Sequence, residues 1–144
     1  MLIREARPSD SEALAALLAE LGFPAAAADV AERLPRMQAA GEVPLVAEAD
    51  GLLGCIGWHV MHVIHRPVPV GRITILIVTP QSRGRGIGKA LVEAAEARLE
   101  QLGCGILEVT SNAALAGAHL FYERLGYERT SHRFAKEVRG SGGG

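Results

Sequence analysis

The stretch VTPQSRGRGIGKALVEAAEARLE, Val78 to Glu100, decides how the rest of the chain is read. Gly84, Gly86 and Gly88 alternate with Arg85 and Ile87, directly after the apolar run RITILIV (Arg72 to Val78) and directly before a helix-like stretch. Glycine at such a handover means that backbone must come close to something. The flanking arginines make that something anionic. Strand, glycine-rich turn and helix together form phosphate-binding architecture. The first N–H groups of a helix lack partners and point outward, and the helix dipole adds about half a positive charge there. Arg83, Arg85 and Lys89 can add charge-assisted hydrogen bonds. Two nucleotide motifs fail on spacing. GxxxxGK[ST] is not supplied by Gly84 to Lys89, and in GxGxxG the third glycine's place is taken by Lys89.

Outward from this loop, the composition limits what the anion can be part of. The 144 residues fit one domain, and 49% of them are apolar, enough for a packed core. With 15 basic and 16 acidic residues the net charge is −1, so there is no broad field for nucleic acid or an anionic membrane. An anion site must be local. Cys55 and Cys104 are far apart with no CxxC, which reads as two reduced thiols in a cytosolic protein. The start, MLIREARPSD, is charged too early for a signal peptide. No apolar stretch approaches the roughly 20 residues that span a bilayer. A cytoplasmic location is the expectation. Residues 1–138 read as one domain, and RGSGGG at 139–144 as a flexible tail.

The elements follow from patterning. Leu2 to Ala6 alternates like an edge strand. SDSE at Ser9 to Glu12 matches a capping box with Ser9 as N-cap, and Leu14, Leu17, Leu18 and Leu21 follow at helical spacing up to Gly22. Ala25 to Ala40 reads as a second helix, broken or kinked near Leu34 by Pro35. Val43 to Ala49 and Leu52 to Val63 read as strands around an Asp50-Gly51 turn. HRPVPVG at His65 to Gly71 reads as a loop. RITILIV is apolar on both faces, as a central buried strand is. A helix over Gly86 to Leu102, a strand at Gly105 to Thr110, a helix over Ala113 to Leu125 and a last strand at Thr130 to Val138 complete the order.

The pattern the loop does satisfy is [QR]xxGx[GA], on Arg83, Gly86 and Gly88. Here the sequence resembles the GNAT acetyltransferase superfamily, whose acetyl-coenzyme A pyrophosphate loop VTPQSRGRGIGKAL looks like. SNAALAGAHLFYERLGYERT, Ser111 to Thr130, is similar to that family's later motif, with Asn112, Ala118, Phe121, Tyr122, Leu125, Gly126 and Tyr127 in register. The resemblance covers nearly the whole chain except the tail. It implies an α/β (α+β) fold whose central mixed, mostly antiparallel sheet is splayed between the fourth and fifth strands and flanked by helices. It implies acetyl-CoA as cosubstrate, no metal, and direct transfer to a primary amine of a small molecule or protein. It also implies coenzyme contacts at Arg83, Gly84, Arg85, Gly86, Ile87, Gly88, Lys89, Asn112 and Tyr122. The pantetheine arm is expected along Leu76, Ile77 and Val78, with Leu107 to Thr110 across the gap. Homodimers are common in the family.

The chemistry sets the remaining expectations. A lysine-like amine is mostly protonated at pH 7, a barrier penalty of about 4–5 kcal/mol, so a base or water chain must remove a proton. Tyr122 matches the tyrosine that approaches the coenzyme sulfur in many members and is the expected acid. Many relatives carry a glutamate where this chain has Thr74, and Glu108, in ILEVTS, is the expected substitute base. Strand alternation lets only His59 and His65, of the trio His59, His62 and His65, share a face, which argues against a three-histidine metal site. His59 and His62 are candidates to line the acceptor pocket. The alternative reading is an acyl-CoA binding or sensing module with little catalysis, which Thr74 favours and Tyr122 opposes.

Overall fold

Every residue of the segment Leu45, Val46 and Ala47 is buried, yet neighbours belong to different cores. Leu45 and Ala47 join one cluster and Val46 the other, because successive strand side chains point to opposite faces. A sheet apolar on both faces must be covered on both. The structure, a computed structural model, describes residues 1–110, 116–130 and 133–139. Its five strands are β1 (Leu2–Glu5), β2 (Leu45–Glu48), β3 (Leu52–Met61), β4 (Val70–Val78) and β5 (Ile106–Val109), in the order β1-β2-β3-β4-β5. All neighbours are antiparallel except β4 and β5, which are parallel. Helix α1 (Ser11–Glu20) and helix α2 (Ala27–Ala39) bury Leu14, Leu17, Val30 and Leu34 against Val46, Cys55 and Ile77. Helix α3 (Ile87–Gln101) covers the other face, bringing Ile87, Leu91, Val92 and Ala95 onto Leu45, Ala47, Ile56 and Ile73. Helix α4 (Ala116–Arg124) adds Phe121 and Tyr122 to that second cluster. Cys55 and Cys104 are free thiols, and burial pushes the Cys55 thiol up to about 12, which keeps it protonated and inert.

Two features of β4 position the site. Gly57 opposes Ile75 but Trp58 opposes Ile73, so Thr74 is an extra residue, a β-bulge. The bulge turns the strand over. Ile73 packs under α3, whereas Ile77, four residues on, packs under α1 and α2. The second feature is where pairing with β5 stops. Among the described residues the register runs from Val70 opposite Ile106 to Ile73 opposite Val109 and goes no further. Among them, β4 from Thr74 to Val78 is bonded to β3 alone. This is the expected splay between the fourth and fifth strands, and it starts at the bulge.

Several sequence expectations change. Ser9 is not the N-cap: a 3-10 turn at Pro8–Asp10 starts after Arg7, whose N–H donates to the Asp10 carboxylate at 2.7 Å, and α1 begins after Asp10 with no side-chain cap bond. Pro35 does not break α2, which is continuous over Ala27–Ala39. Buried Val30 and Leu34 hold the helix against the sheet, and that packing outweighs the one hydrogen bond proline removes. No strand forms over Thr130 or 133–139 among the described residues. Phe134 and Val138, which alternation would bury, stand 94% and 84% exposed with no sheet face beneath them. Leu107 to Val109 do not lie across the gap. They pair with Gly71 to Ile73, below it.

Asp10 also anchors the first strand to the helical layer. Arg4 donates to both of its carboxylate oxygens at 2.8 and 2.9 Å, and reaches Glu48 on β2 at 3.2 Å. The side chains of Arg4 and Asp10 are only 11% and 9% exposed. The Arg4 guanidinium holds the Asp10 carboxyl below its ordinary value of 3.8. Arg4→Ala strands a buried carboxylate and is expected to cost about 3 kcal/mol in urea unfolding at pH 7. The sign follows from the lowered value. The stabilisation is complete above about pH 4 and is lost as pH falls through the folded-state value. The gap between wild type and Arg4→Ala therefore closes in acid. A gap that stays constant down to pH 2 contradicts this assignment.

Candidate active site

The turn that joins β4 to α3 is a 3-10 turn at Pro80–Ser82 followed by Arg83 to Gly86. Its start is tied down: the Thr79 N–H donates to the Leu53 carbonyl at 2.8 Å and the Ser82 N–H to the Thr79 carbonyl at 3.0 Å, with Ser82 buried. Beyond Ser82 the loop stands in solvent, and Arg83, Gly84, Arg85, Gly86 and Lys89 are all exposed. Gly86 is the residue before the helix and has φ 78°, in the left-handed region. That conformation turns the chain so that Ile87, Gly88 and Lys89 open α3 with their N–H groups on the loop side. The first helical bond of the turn, from the Ala90 N–H to the Gly86 carbonyl at 3.1 Å, leaves those three donors ahead of it. A Cβ built at Gly86 meets no atom within 4 Å. The space in front of the donors is open, as a bound phosphate requires. Gly88 differs from expectation in one respect. A Cβ there would come into ordinary contact with the Phe121 ring, at 3.4 Å.

Three elements meet here. Arg83 lies back along β4, its Nε donating to the Val78 carbonyl at 3.3 Å. Leu76 and Val78 face the α3 side, Ile77 the other. Helix α4 lays Phe121 and Tyr122 against the same cluster, their rings edge to face with centroids 5.1 Å apart. Burial pushes the Tyr122 phenol up to about 12, so it stays protonated and able to donate through the whole physiological range. Tyr127 takes a structural part, as its place in the sequence suggests. Its hydroxyl donates to Glu96 of α3 at 2.8 Å, and its ring lies 5.9 Å from that of Tyr122. Lys89 and Arg124 share the rim of a hollow of about 340 Å³ floored by Leu120, Phe121 and Leu125. A larger cavity of about 520 Å³ lies near the far end of α3, beside Arg4 and Arg98. Two of its arginines are already engaged, Arg4 by Asp10 and Arg98 by Glu5, each at 2.8 Å. Asn112 lies outside the described residues.

Glu108 stands apart from the loop. It opposes Arg72 just below the fork of the splay, and the two side chains are joined at 3.2 Å. Arg72 opposes His59 on its other side. His59 in turn is bound to Glu42, from the turn after α2, with Nδ1 at 2.9 Å from each carboxylate oxygen. Thr74 reaches the same face, since its Oγ1 lies over Gly57, 2.7 Å from where a Cβ would stand. Sequence reading had no means to find the Glu42–His59 pair or the Arg72–Glu108 pair, whose members are 17 and 36 residues apart. Among the described residues no group of three histidine, cysteine or acidic side chains is placed to hold a metal ion. No helix there is long and apolar enough to cross a membrane.

Known proteins share this fold. The acetyltransferase (GNAT) family pattern matches residues 11–127. The chain is 34% identical over 136 residues to the aminoglycoside N(6')-acetyltransferase type 1 of Stenotrophomonas maltophilia, covering 89% of this chain and 86% of that protein. It is 34% identical over 87 residues to the aminoalkylphosphonate N-acetyltransferase of Salmonella typhimurium, covering 60% of this chain and 56% of that protein. The chain thus spans little more than half the length of the Salmonella protein. Among solved structures, an aminoglycoside N-acetyltransferase in complex with CoA superposes with a TM-score of 0.81 at 20% identity, over 96% of this chain and 95% of that one. With the glycine turn, the bulged and splayed fourth strand and the later helix all in the family's order, the chain belongs to the acetyltransferase (GNAT) family.

Proposed function

We propose that this acetyltransferase takes its acetyl group from acetyl-CoA held on the Arg83–Lys89 turn and passes it to a primary amine of a small molecule. The observation that carries the reading is the pairing of two vacancies. The N–H groups of Ile87 to Lys89 face open space past Gly86, and among the described residues the β4 backbone from Thr74 to Val78 has no partner on the β5 side. The residues fit the coenzyme: backbone donors and the cations Arg83, Arg85 and Lys89 suit a pyrophosphate. The free strand edge of Leu76 to Val78 suits the amide groups of a pantetheine arm, which pairs as another strand would. Bound there, acetyl-CoA supplies a thioester close to the bulge at Thr74.

Tyr122 is the proton donor in this reading. Its phenol sits in the cluster that contains Leu76 and Val78 and holds its proton at neutral pH. Glu108, the carboxylate expected as base, is bridged by Arg72 and so serves as half of an ion pair beside the fork. Small amines are favoured as acceptors because the relatives named above act on aminoglycosides and aminoalkylphosphonates. The test is coenzyme thiol release from acetyl-CoA with a panel of small primary amines. Thiol release that depends on the amine is expected. Stabilisation by acetyl-CoA without release for any amine, small or protein-borne, points instead to a binding module.

A further inference from the structure

One row of side chains crosses the sheet on the face away from α3, immediately below the fork. It runs from His59 on β3 through Arg72 on β4 to Glu108 on β5, because these three residues oppose one another in register. The face is established by their neighbours. A Cβ at Gly71 would meet Leu99 of α3, and Ile73 packs in the α3 cluster, so Arg72 between them points the other way. Thr74 brings its hydroxyl to the same face over Gly57. On strand geometry of about 3.3 Å per residue and about 4.8 Å between strands, the His59 backbone lies about 8 Å from that of Thr74. An imidazole and an amine between them span such a distance.

Glu42 fixes the chemistry of that imidazole. Its carboxylate lies 2.9 Å from His59 Nδ1 and also accepts the Val60 N–H at 2.6 Å, so it is held in place from two sides. A carboxylate only accepts hydrogen bonds, so Nδ1 carries the hydrogen. In the neutral ring that leaves Nε2 as a free base, directed away from Glu42. The ring is exposed enough for a substrate to reach, at 50% for the side chain. The charged groups that face it are Glu42 from the turn and Arg72 from β4, with Glu108 beyond Arg72. Glu108, the other basic group on this face, is already engaged by Arg72.

We propose that His59, oriented by Glu42, is the base that deprotonates the acceptor amine, in place of the carboxylate that Thr74 displaces from β4. The proposal rests on the acetyl-transfer reading above. In the first step an N–H bond of the acceptor ammonium breaks and an Nε2–H bond forms, giving imidazolium and neutral amine. The amine then bonds to the thioester carbon and the C–S bond breaks. Tyr122 gives its proton to the departing sulfur and recovers the proton lost by the new amide nitrogen. The imidazolium releases its proton to water, so one proton is produced per turnover.

Two readouts test this. The first needs no acceptor: long-range nitrogen–carbon NMR correlations of the His59 ring in the free protein at pH 8. The Nδ1–H tautomer is expected, changing in Glu42→Gln, and the Nε2–H tautomer overturns the proposal whatever becomes of the acetyl-transfer reading. The second is coenzyme thiol release with 2-aminoethylphosphonate, kanamycin and benzylamine. With whichever wild type uses best, His59→Gln is expected to lower kcat about 10²–10⁴-fold. Its thermal stabilisation by acetyl-CoA should remain, which keeps coenzyme binding separate from proton removal. Glu42→Gln should lower kcat with KM nearly unchanged, because the ring is no longer held as the Nδ1–H tautomer. A role confined to holding the turn would not change that tautomer. Turnover within about twofold of wild type in His59→Gln overturns the proposal, as does an acidic limb removed by Glu108→Gln and untouched by His59→Gln.

Discussion

Gly86→Asp is expected to abolish stabilisation by acetyl-CoA while the protein still folds. The two halves of this result have separate causes. In the free protein a Cβ at Gly86 meets no atom within 4 Å. The cost to the fold is the left-handed backbone at φ 78°, about 1–2 kcal/mol for a residue other than glycine, and aspartate is among the residues that tolerate it best. For the coenzyme the change is severe. The new carboxylate occupies the space in front of the Ile87 to Lys89 donors and repels the pyrophosphate it would meet there. Thermal unfolding with and without acetyl-CoA is the measurement. A folded Gly86→Asp protein still stabilised as wild type is would remove the coenzyme from this turn. Gly88 is a poorer site for the experiment, because a side chain there contacts Phe121 as well.

Tyr122→Phe is expected to lower turnover about 10²–10⁴-fold with coenzyme binding nearly intact. The ring stays, and with it the edge-to-face contacts with Phe121 and Tyr127. Only the hydroxyl is lost. Burial raises the phenol to about 12, so deprotonation of Tyr122 switches activity off only above that pH, and the wild-type rate should show no basic limb from this group at pH 10. A loss below about twofold in kcat on an accepted amine would end the general-acid role. Tyr127→Phe gives the contrast. It removes the bond to Glu96 on α3 and should act on stability, with turnover largely kept.

How much of this was legible in the chain depends on whether the signal was local. The glycine turn was, because its requirements are properties of single residues: Gly86 adopts a backbone angle other residues avoid, and the cations stand beside it in sequence. The helix after it was legible from the spacing of Leu91, Val92, Ala95, Leu99 and Leu102, of which the first four are buried and Leu102, just past the helix end, is 49% exposed. The two-sided burial of β4 could be read from RITILIV, though not the bulge at Thr74, which exists only as a mismatch with Gly57 and Trp58 across the strand. The first helix shows the limit at short range. SDSE reads as a capping box on Ser9, but the chain makes a 3-10 turn there instead, with the Asp10 carboxylate held by Arg4 from β1 and by the Arg7 N–H.

The sequence by itself thus determined the end of the molecule proposed to hold the coenzyme: the strand, turn and helix, and the tyrosine of α4. Each is specified by residues within about one helical turn or one strand of each other, where propensity and spacing act. Only the tertiary structure decided the end proposed to take the acceptor. Glu42 reaches His59, Arg72 reaches Glu108, and Thr74 turns over Gly57 because three strands align in one register and a bulge rotates one of them. Those partners are 17 and 36 residues apart for the two charged pairs. No local rule links them, since the pairing is set by which hydrophobic faces the two helical layers bury, and the polar row is what that burial leaves outside.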